Sequence, residues 1–185
     1  LIITIDCGTT DIEAVKQARE QNIEVIITDH HEPKEEFPDA LAVVNPKVGN
    51  TYPFTGLCGA GVIFKLVQAL IARGGFAIPA GLEKWWLDMV GVATIADMVP
   101  LVDENRVFST YGLKVLRKTR RPGLQKLLRK QKVDPRYLSE DDIGFTIGPR
   151  INAASRMDTP EDAFSLLATT DEAEAETRML HLEKL

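Results

Sequence analysis

Cysteine is almost absent: Cys7 and Cys58 are the only two in 185 residues. Their spacing gives neither a metal-ligand pair nor a disulfide framework, so a cysteine-stapled secreted scaffold is excluded and a reducing compartment fits. Long apolar runs are missing as well. No stretch reaches the roughly 20 residues of a membrane span, and Leu1-Ile2-Ile3-Thr4-Ile5 has neither the basic flank nor the cleavage site of a secretory signal. A cytoplasmic location is the expectation. Repeats, low-complexity tracts and long flexible linkers are also lacking, which leaves an ordinary globular segment whose 44% hydrophobic residues suffice for one core, or for one domain and part of a second. The chain opens on Leu1, inside what reads as a buried strand, so a fragment without its natural N-terminus is expected.

Excess positive charge is lacking overall. The net charge is −5, which by itself counts against a nucleic-acid partner, but its distribution is uneven. From Lys114 to Arg136 the basic residues are Lys114, Arg117, Lys118, Arg120, Arg121, Lys126, Arg129, Lys130, Lys132 and Arg136, against the single acid Asp134. Such a stretch suits phosphate contacts or, equally, a solvated basic helix face.

The hydrophobic pattern reads as α/β. Ile2 to Asp6 and Ile23 to Thr28 are short apolar runs of the buried-strand kind, and Leu41 to Val44 is a third. Thr10-Asp11-Ile12-Glu13 has the form of a capping box, with Ile12, Val15, Ala18 and Arg19 following at helical spacing. The strand-helix-strand order predicts a mostly parallel sheet flanked by helices, with right-handed crossovers and all strand ends on one edge. Gly59-Ala60-Gly61 opens an amphipathic helix that Gly74-Gly75 closes. A helical region then follows: Leu87 to Ala96, about Asn105 to Lys118, Gly123 to Lys130, a segment capped by Thr159 through Ala168, and a last helix capped by Thr170.

In an open parallel sheet, reactive groups gather outside the carboxyl ends of the strands. Here those ends carry Asp6 and Asp29-His30-His31. Neighbouring strands lie about 5 Å apart, so these side chains are able to meet, and carboxylate with neutral imidazole suits Mn²⁺ or a similar divalent ion. A histidine pair after a strand is also what a plain polar turn looks like. Asp97 adds weight, because it ends the apolar run Met89 to Ala96, where a carboxylate is costly unless paired or coordinated.

Taken in order, Ile5-Asp6-Cys7-Gly8, Asp29-His30-His31, Val43-Val44-Asn45-Pro46, Gly59-Ala60-Gly61-Val62, Thr94-Ile95-Ala96-Asp97 and Gly148-Pro149-Arg150-Ile151-Asn152-Ala153-Ala154 resemble the RecJ-type exonucleases of the DHH phosphoesterase family. The motifs span nearly the whole chain. The resemblance implies that residues 1–168 form a DHH domain without its first strand motif, and that 169–185 begin a helix leading to a DHHA1 domain. It implies a catalytic set of Asp6, Asp29, His30, His31 and Asp97. Within that set Asp6, His30 and Asp97 would hold metal, Asp29 would orient a ligand and His31 would touch the scissile phosphate. Arg150, Asn152 and Arg156 would hold backbone phosphates. The implied cofactor is a pair of Mn²⁺ or Mg²⁺ ions, and the implied reaction is 5′ to 3′ hydrolysis of single-stranded DNA in repair and recombination. A helicase and a single-strand-binding protein are the implied protein partners. The family also uses an Asp-x-Asp pair on an earlier strand, which has no counterpart before Asp6, so weak metal binding and little hydrolysis are expected of this chain.

Two departures stand out: Ser155 replaces a usual glycine, and Cys7 a frequent asparagine. Rival readings are an actin-like sugar kinase, on Ile5-Asp6-Cys7-Gly8-Thr9-Thr10, an oligoribonuclease or cyclic-dinucleotide phosphodiesterase of the same family, and a DHH-like DNA-binding module without catalysis. The capping box after Thr9 disfavours the first, where a second antiparallel strand belongs. The Gly148 to Ala154 segment and the basic stretch disfavour the second, and retention of Asp6, His30 and Asp97 disfavours the third.

Overall fold

The computed structural model describes residues 1–156 and 160–182, with the side chains of 155 and 156 outside that description. Three strands, β1 (Ile2–Ile5), β2 (Val25–Thr28) and β3 (Ala42–Val44), form a sheet in the order β1-β2-β3. Both pairings are parallel, with Ile5 opposite Thr28 and Thr28 opposite Val44. That register brings the next residue of each strand, Asp6, Asp29 and Asn45, to one line along the carboxyl edge.

Helix α1 (Ile12–Glu20) makes the first crossover. The expected capping box is not formed: Asp11 is the N-cap and makes no side-chain cap bond. Val15 packs with Val25 and Ile27 in a small core under the sheet, while Ile12 stays 37% exposed. Strand β1 also departs from expectation. It is a strand but not a buried one, because Ile2, Ile3 and Ile5 are exposed, whereas Ile27 of the central strand is fully buried.

Helix α2 (Gly59–Arg73) begins at Cys58 and ends at Gly74, whose φ of 83° suits glycine. A 3₁₀ turn over Leu82–Trp86 leads into α3 (Leu87–Ala96), which is apolar nearly all round and correspondingly buried. Helix α4 (Asp103–Leu116) crosses α3 closely at a pair of glycines. A methyl on Gly91 would lie 2.8 Å from the Gly112 Cα, so only glycine permits this approach. Leu57, Val62, Phe64, Val90 and Phe108 form the core that fixes α3 and α4 against α2.

Beyond this lies a helical layer of α5 (Pro122–Lys130), α6 (Glu140–Asp142), α7 (Gly148–Arg156), α8 (Pro160–Ala168) and α9 (Glu172–Leu182). A π turn, Ile143–Ile147, joins α6 to α7. Leu124, Leu127, Leu128, Ile147, Leu166 and Met179 share one core, so α9 packs onto the layer through its buried face. The expected cap at Thr159 lies outside the described residues. Thr170 is not the cap of α9. The Asp171 carboxylate accepts from the Glu174 N–H at 2.7 Å and does that work instead.

Candidate metal centre

The carboxyl edge of the sheet holds the proposed ligands, and one further element completes the group. Asp6 leaves β1 with its N–H donating to the Thr28 carbonyl at 2.9 Å and with φ of 65°. A non-glycine residue in that left-handed region costs of order 1–3 kcal/mol and commonly marks a functional position. Asp97 arrives from a different direction, as the residue that ends buried α3.

His30 Nε2 lies 3.0 Å from Asp6 Oδ1 and 3.7 Å from Asp97 Oδ2. The imidazole is mostly buried at 13% exposure, whereas the two carboxylates are open at 57% and 44%. Thus the side chains of Asp6, His30 and Asp97 converge, as the sequence reading expected. One ligand atom each from Asp6, His30 and His31 also lies within 4.8 Å of the others, which is compatible with a shared cation. Two donors adjacent around a small divalent ion, each about 2.1 Å from it, sit about 3 Å apart, and the Asp6–His30 separation has that value. The donor set therefore fits a Mn²⁺- or Mg²⁺-like ion, with room on its exposed side for water or phosphate oxygens.

Asp29 occupies a different place. It is 1% exposed and faces inward. Its Oδ2 accepts the Thr9 N–H at 2.9 Å, and its Oδ1 accepts the His30 and His31 N–H groups at 2.8 and 3.2 Å. His31 Nδ1 lies 2.7 Å from the same Oδ1. Burial alone would push this carboxyl upward, but hydrogen bonds from Thr9, His31 and the His30 backbone outweigh it and hold Asp29 well below the usual carboxylate range. The bond to Asp29 in turn raises the His31 imidazole, against the lowering effect of its partial burial. An ionised Asp29 thereby fixes both histidine backbones and one ring.

The sequence reading gave no role to Asn45 or Thr9, yet both brace the centre. Asn45, 6% exposed, donates from Nδ2 to the Thr9 hydroxyl and to the His31 carbonyl, each at 3.0 Å. A signal for Asn45 was present: it follows the third strand just as Asp6 and Asp29 follow the first two. Gly59 is the other missed residue. It opens α2 directly against the Asp6 side chain, and a Cβ there would overlap Asp6 Oδ1 and lie 2.6 Å from Asp6 Cβ.

The residues expected to hold phosphates stand on α7. Arg150 and Asn152 are exposed, with Arg150 Nη1 3.5 Å from the Thr146 carbonyl. The side chain of Arg156 lies outside the described residues. The start of α7 abuts the end of α3, since a Cβ on Gly148 would meet Ala96 Cβ at 3.4 Å. Ala96 immediately precedes Asp97, so the phosphate-binding candidates belong to an element seated on the helix that ends at Asp97. Cys7 is exposed and Cys58 buried, and burial leads the causes that raise both thiols. A raised thiol is a poor nucleophile.

The basic stretch is largely occupied by internal work. Arg117 donates twice to the Leu138 carbonyl, Arg121 pairs with buried Asp88 at 2.8 Å, Lys126 reaches Glu176 at 2.7 Å, and Arg136 pairs with Asp134. Lys114 and Arg120 lie over the rings of Tyr111 and Trp85.

Residues 1–94 match the DHH family, N-terminal domain, and the chain belongs to that family. Within it, the chain is similar to the single-stranded-DNA-specific exonuclease RecJ. The Bacillus subtilis protein of that name is 44% identical over 186 residues, covering all of this chain and 23% of its own length. The Escherichia coli protein is 37% identical, again over all of this chain and 34% of its own. A crystal structure of exonuclease RecJ bound to manganese superposes with a TM-score of 0.86 at 36% identity, over 98% of this chain and 45% of the other. RecJ from Thermus thermophilus in complex with Mn²⁺ gives the same score and identity, with 27% of that chain covered. The chain thus spans about a quarter to a third of the curated relatives it matches.

Proposed function

We propose that this chain carries the sheet-edge part of a metal-dependent phosphodiesterase centre that removes nucleotides from single-stranded DNA in the 5′ to 3′ direction, in repair and recombination. The observation that carries the proposal is the meeting of Asp6, His30 and Asp97 from three separate elements at one open edge. Asp6, His30 and Asp97 would hold the ion. Bound there, Mn²⁺ or Mg²⁺ lowers the pKa of a water and offsets charge on the attacking and leaving oxygens.

The chain's own groups chiefly position. Asp29 holds the backbone of His30 and His31 through two hydrogen bonds to its carboxylate and the His31 ring through a third. His31, its ring exposed and its Nδ1 engaged by Asp29, would touch the scissile phosphate through its other nitrogen. Arg150, Asn152 and Arg156 on α7 would grip the strand's phosphates, the arginines by paired N–H donors. Residues 1–168 would constitute the DHH part, and 169–185 the start of a helix toward a DHHA1 domain. A cytoplasmic setting, with a helicase and a single-strand-binding protein as partners, completes the proposal on the strength of the family resemblance.

The test is Mn²⁺ binding by electron paramagnetic resonance, together with nucleotide release from end-labelled single strands, duplexes and dinucleotides. Asp6→Ala and His30→Ala should each abolish measurable Mn²⁺ binding and any hydrolysis while the circular dichroism is unchanged. Undiminished Mn²⁺ binding in both variants would remove the site. Cleavage confined to dinucleotides would shift the substrate class to short oligonucleotides.

A further inference from the structure

A second surface combines aromatic rings and cations well away from the metal centre. The 3₁₀ turn before α3 and one face of α4 enclose a groove of about 360 Å³. Leu87 and Val115 contribute apolar floor, and Trp85 and Tyr111 contribute rings that are 39% and 51% exposed. Lys84, Lys114 and Lys118 line it as well, and no aspartate or glutamate does. Tyr111, Lys114 and Val115 recur at intervals of three and four on one face of α4, and Lys118 follows in the turn just beyond it. Lys114 Nζ stands 4.6 Å from the Tyr111 ring centre, and the Arg120 guanidinium 4.6 Å from that of Trp85.

This composition is unusual for the molecule. The chain is anionic overall, yet here cations gather around two partly exposed rings, one cation lying over each. Flat rings beside cations are what a single-stranded nucleic acid uses, since bases stack on the rings and phosphates pair with the charges. An acidic peptide shares the charge preference but makes no comparable use of two exposed rings. The groove also lies within reach of a strand held at the metal centre. Leu87 opens α3 and Asp97 follows its last residue, so about 15 Å of helix separates them.

We infer that the Trp85–Tyr111 groove is a second, sequence-independent contact for single-stranded DNA, holding the strand at a distance from the cleavage point by base stacking and phosphate pairing. This inference rests on the reading of the chain as a single-strand nuclease, but binding at the groove needs no metal.

The experiment uses the chain itself in EDTA, with fluorescence anisotropy of a labelled oligodeoxythymidylate of about 16 nucleotides. Trp85→Ala should weaken binding about tenfold, and Trp85→Phe should restore most of the loss, because stacking needs a ring rather than an indole. Lys114→Gln combined with Lys118→Gln should weaken binding and lower the slope of log affinity against log salt by about 1.4, at about 0.7 per phosphate contact on a single strand. The lysine pair is exposed, so it keeps the test valid should Trp85→Ala fail to fold. Unchanged affinity in the lysine pair overturns the inference, as does equal affinity for a duplex or equally strong binding of polyglutamate. Mn²⁺ titration of the same variants separates the two readings: retained Mn²⁺ binding with unchanged DNA affinity sinks the groove alone, whereas no Mn²⁺ binding by the unaltered chain sinks the metal centre alone.

Discussion

Replacing Gly59 by alanine should damage the metal centre while leaving the fold nearly intact. Helix propensity alone favours the change, by up to about 1 kcal/mol. The obstacle is Asp6. A methyl at position 59 would overlap the carboxylate Oδ1 and stand 2.6 Å from Asp6 Cβ, whereas carbon atoms rest at about 3.5 Å or more. Rotating the carboxylate away relieves the first contact but not the second, so the backbone at Asp6 has to retreat by about 1 Å. That backbone is already in the left-handed region and tied to Thr28. Metal ligands tolerate displacement of only about 0.2 Å, and disturbing the groups that orient a ligand typically costs 10–100-fold in metal affinity. The expected loss of Mn²⁺ affinity in Gly59→Ala is therefore at least about tenfold, read by titrating free Mn²⁺ with electron paramagnetic resonance. Gly61→Ala is the matched control on the same helical turn. Its methyl would meet Leu57 and Phe108 at 3.5 Å, an ordinary contact, and nothing of Asp6. If Gly59→Ala binds Mn²⁺ as the unaltered chain does, or if Gly61→Ala loses as much, the claim that α2 sets the position of Asp6 is wrong.

Asp29→Asn should destabilise the metal-free chain by about 2 kcal/mol near neutral pH, because hydrogen bonds to an ionised buried carboxylate are lost. The folded Asp29 is depressed, so the contribution is full above the unfolded value of about 3.9 and fades as pH falls below it toward the folded value. Urea melts of both proteins should show the gap closing only in acid, and a gap that instead widens there contradicts the assignment. Arg121→Ala should cost about 3 kcal/mol by leaving the Asp88 carboxylate, 4% exposed, without its partner. Adding Asp88→Asn to that variant should recover part of the loss, and a double variant no more stable than the single one would argue against the pair. With the three or four donors found here, against the six of a full octahedral shell, Mn²⁺ affinity of the unaltered chain should be weak, and metal binding, which needs deprotonated ligands, should weaken in acid. Tight, pH-independent binding would mean that other donors are involved.

The parts of the structure that were legible in the sequence share one property: local pattern and tertiary environment agree. Strand β2 is an apolar run because both its faces are covered, and α3 is apolar all round because it is enclosed by α2 and α4. Strand β1 shows where this inference fails. Its residues are as apolar as those of β2, but hydrophobicity records a preference for cover and does not supply it, and Ile2, Ile3 and Ile5 remain exposed at the sheet edge. The run from Glu140 through the π turn into α7 was not recognised as helical, since a glycine-proline step at 148–149 reads as a break. It is tolerated because the preceding π turn shifts the hydrogen-bond ladder just before proline, which lacks an N–H to continue it.

The candidate centre follows the same logic in reverse. Asp6 and the Asp29-His30-His31 run could be named because they follow strands at the carboxyl edge of a parallel sheet, and Asp97 because it ends an apolar run, with the family resemblance supplying their roles. The groups that aim them are harder to name from sequence, because Thr9 and Asn45 are common turn residues and Gly59 looks like any helix-opening glycine. Their roles depend on register. Only when Ile5, Thr28 and Val44 are aligned do the three following residues form a row, and only then does the buried Asp29 stand between Thr9 on one side and both histidines on the other. Asn45 then ties the outer end of that row to Thr9 and His31. A cation at this edge would thus be held by side chains that are partly exposed, but aimed by a hydrogen-bonded row that is buried. The His30 backbone is fixed from beneath through Asp29, whereas its ring nitrogen meets the open carboxylates of Asp6 and Asp97, so a cation there would meet a backbone already held in place.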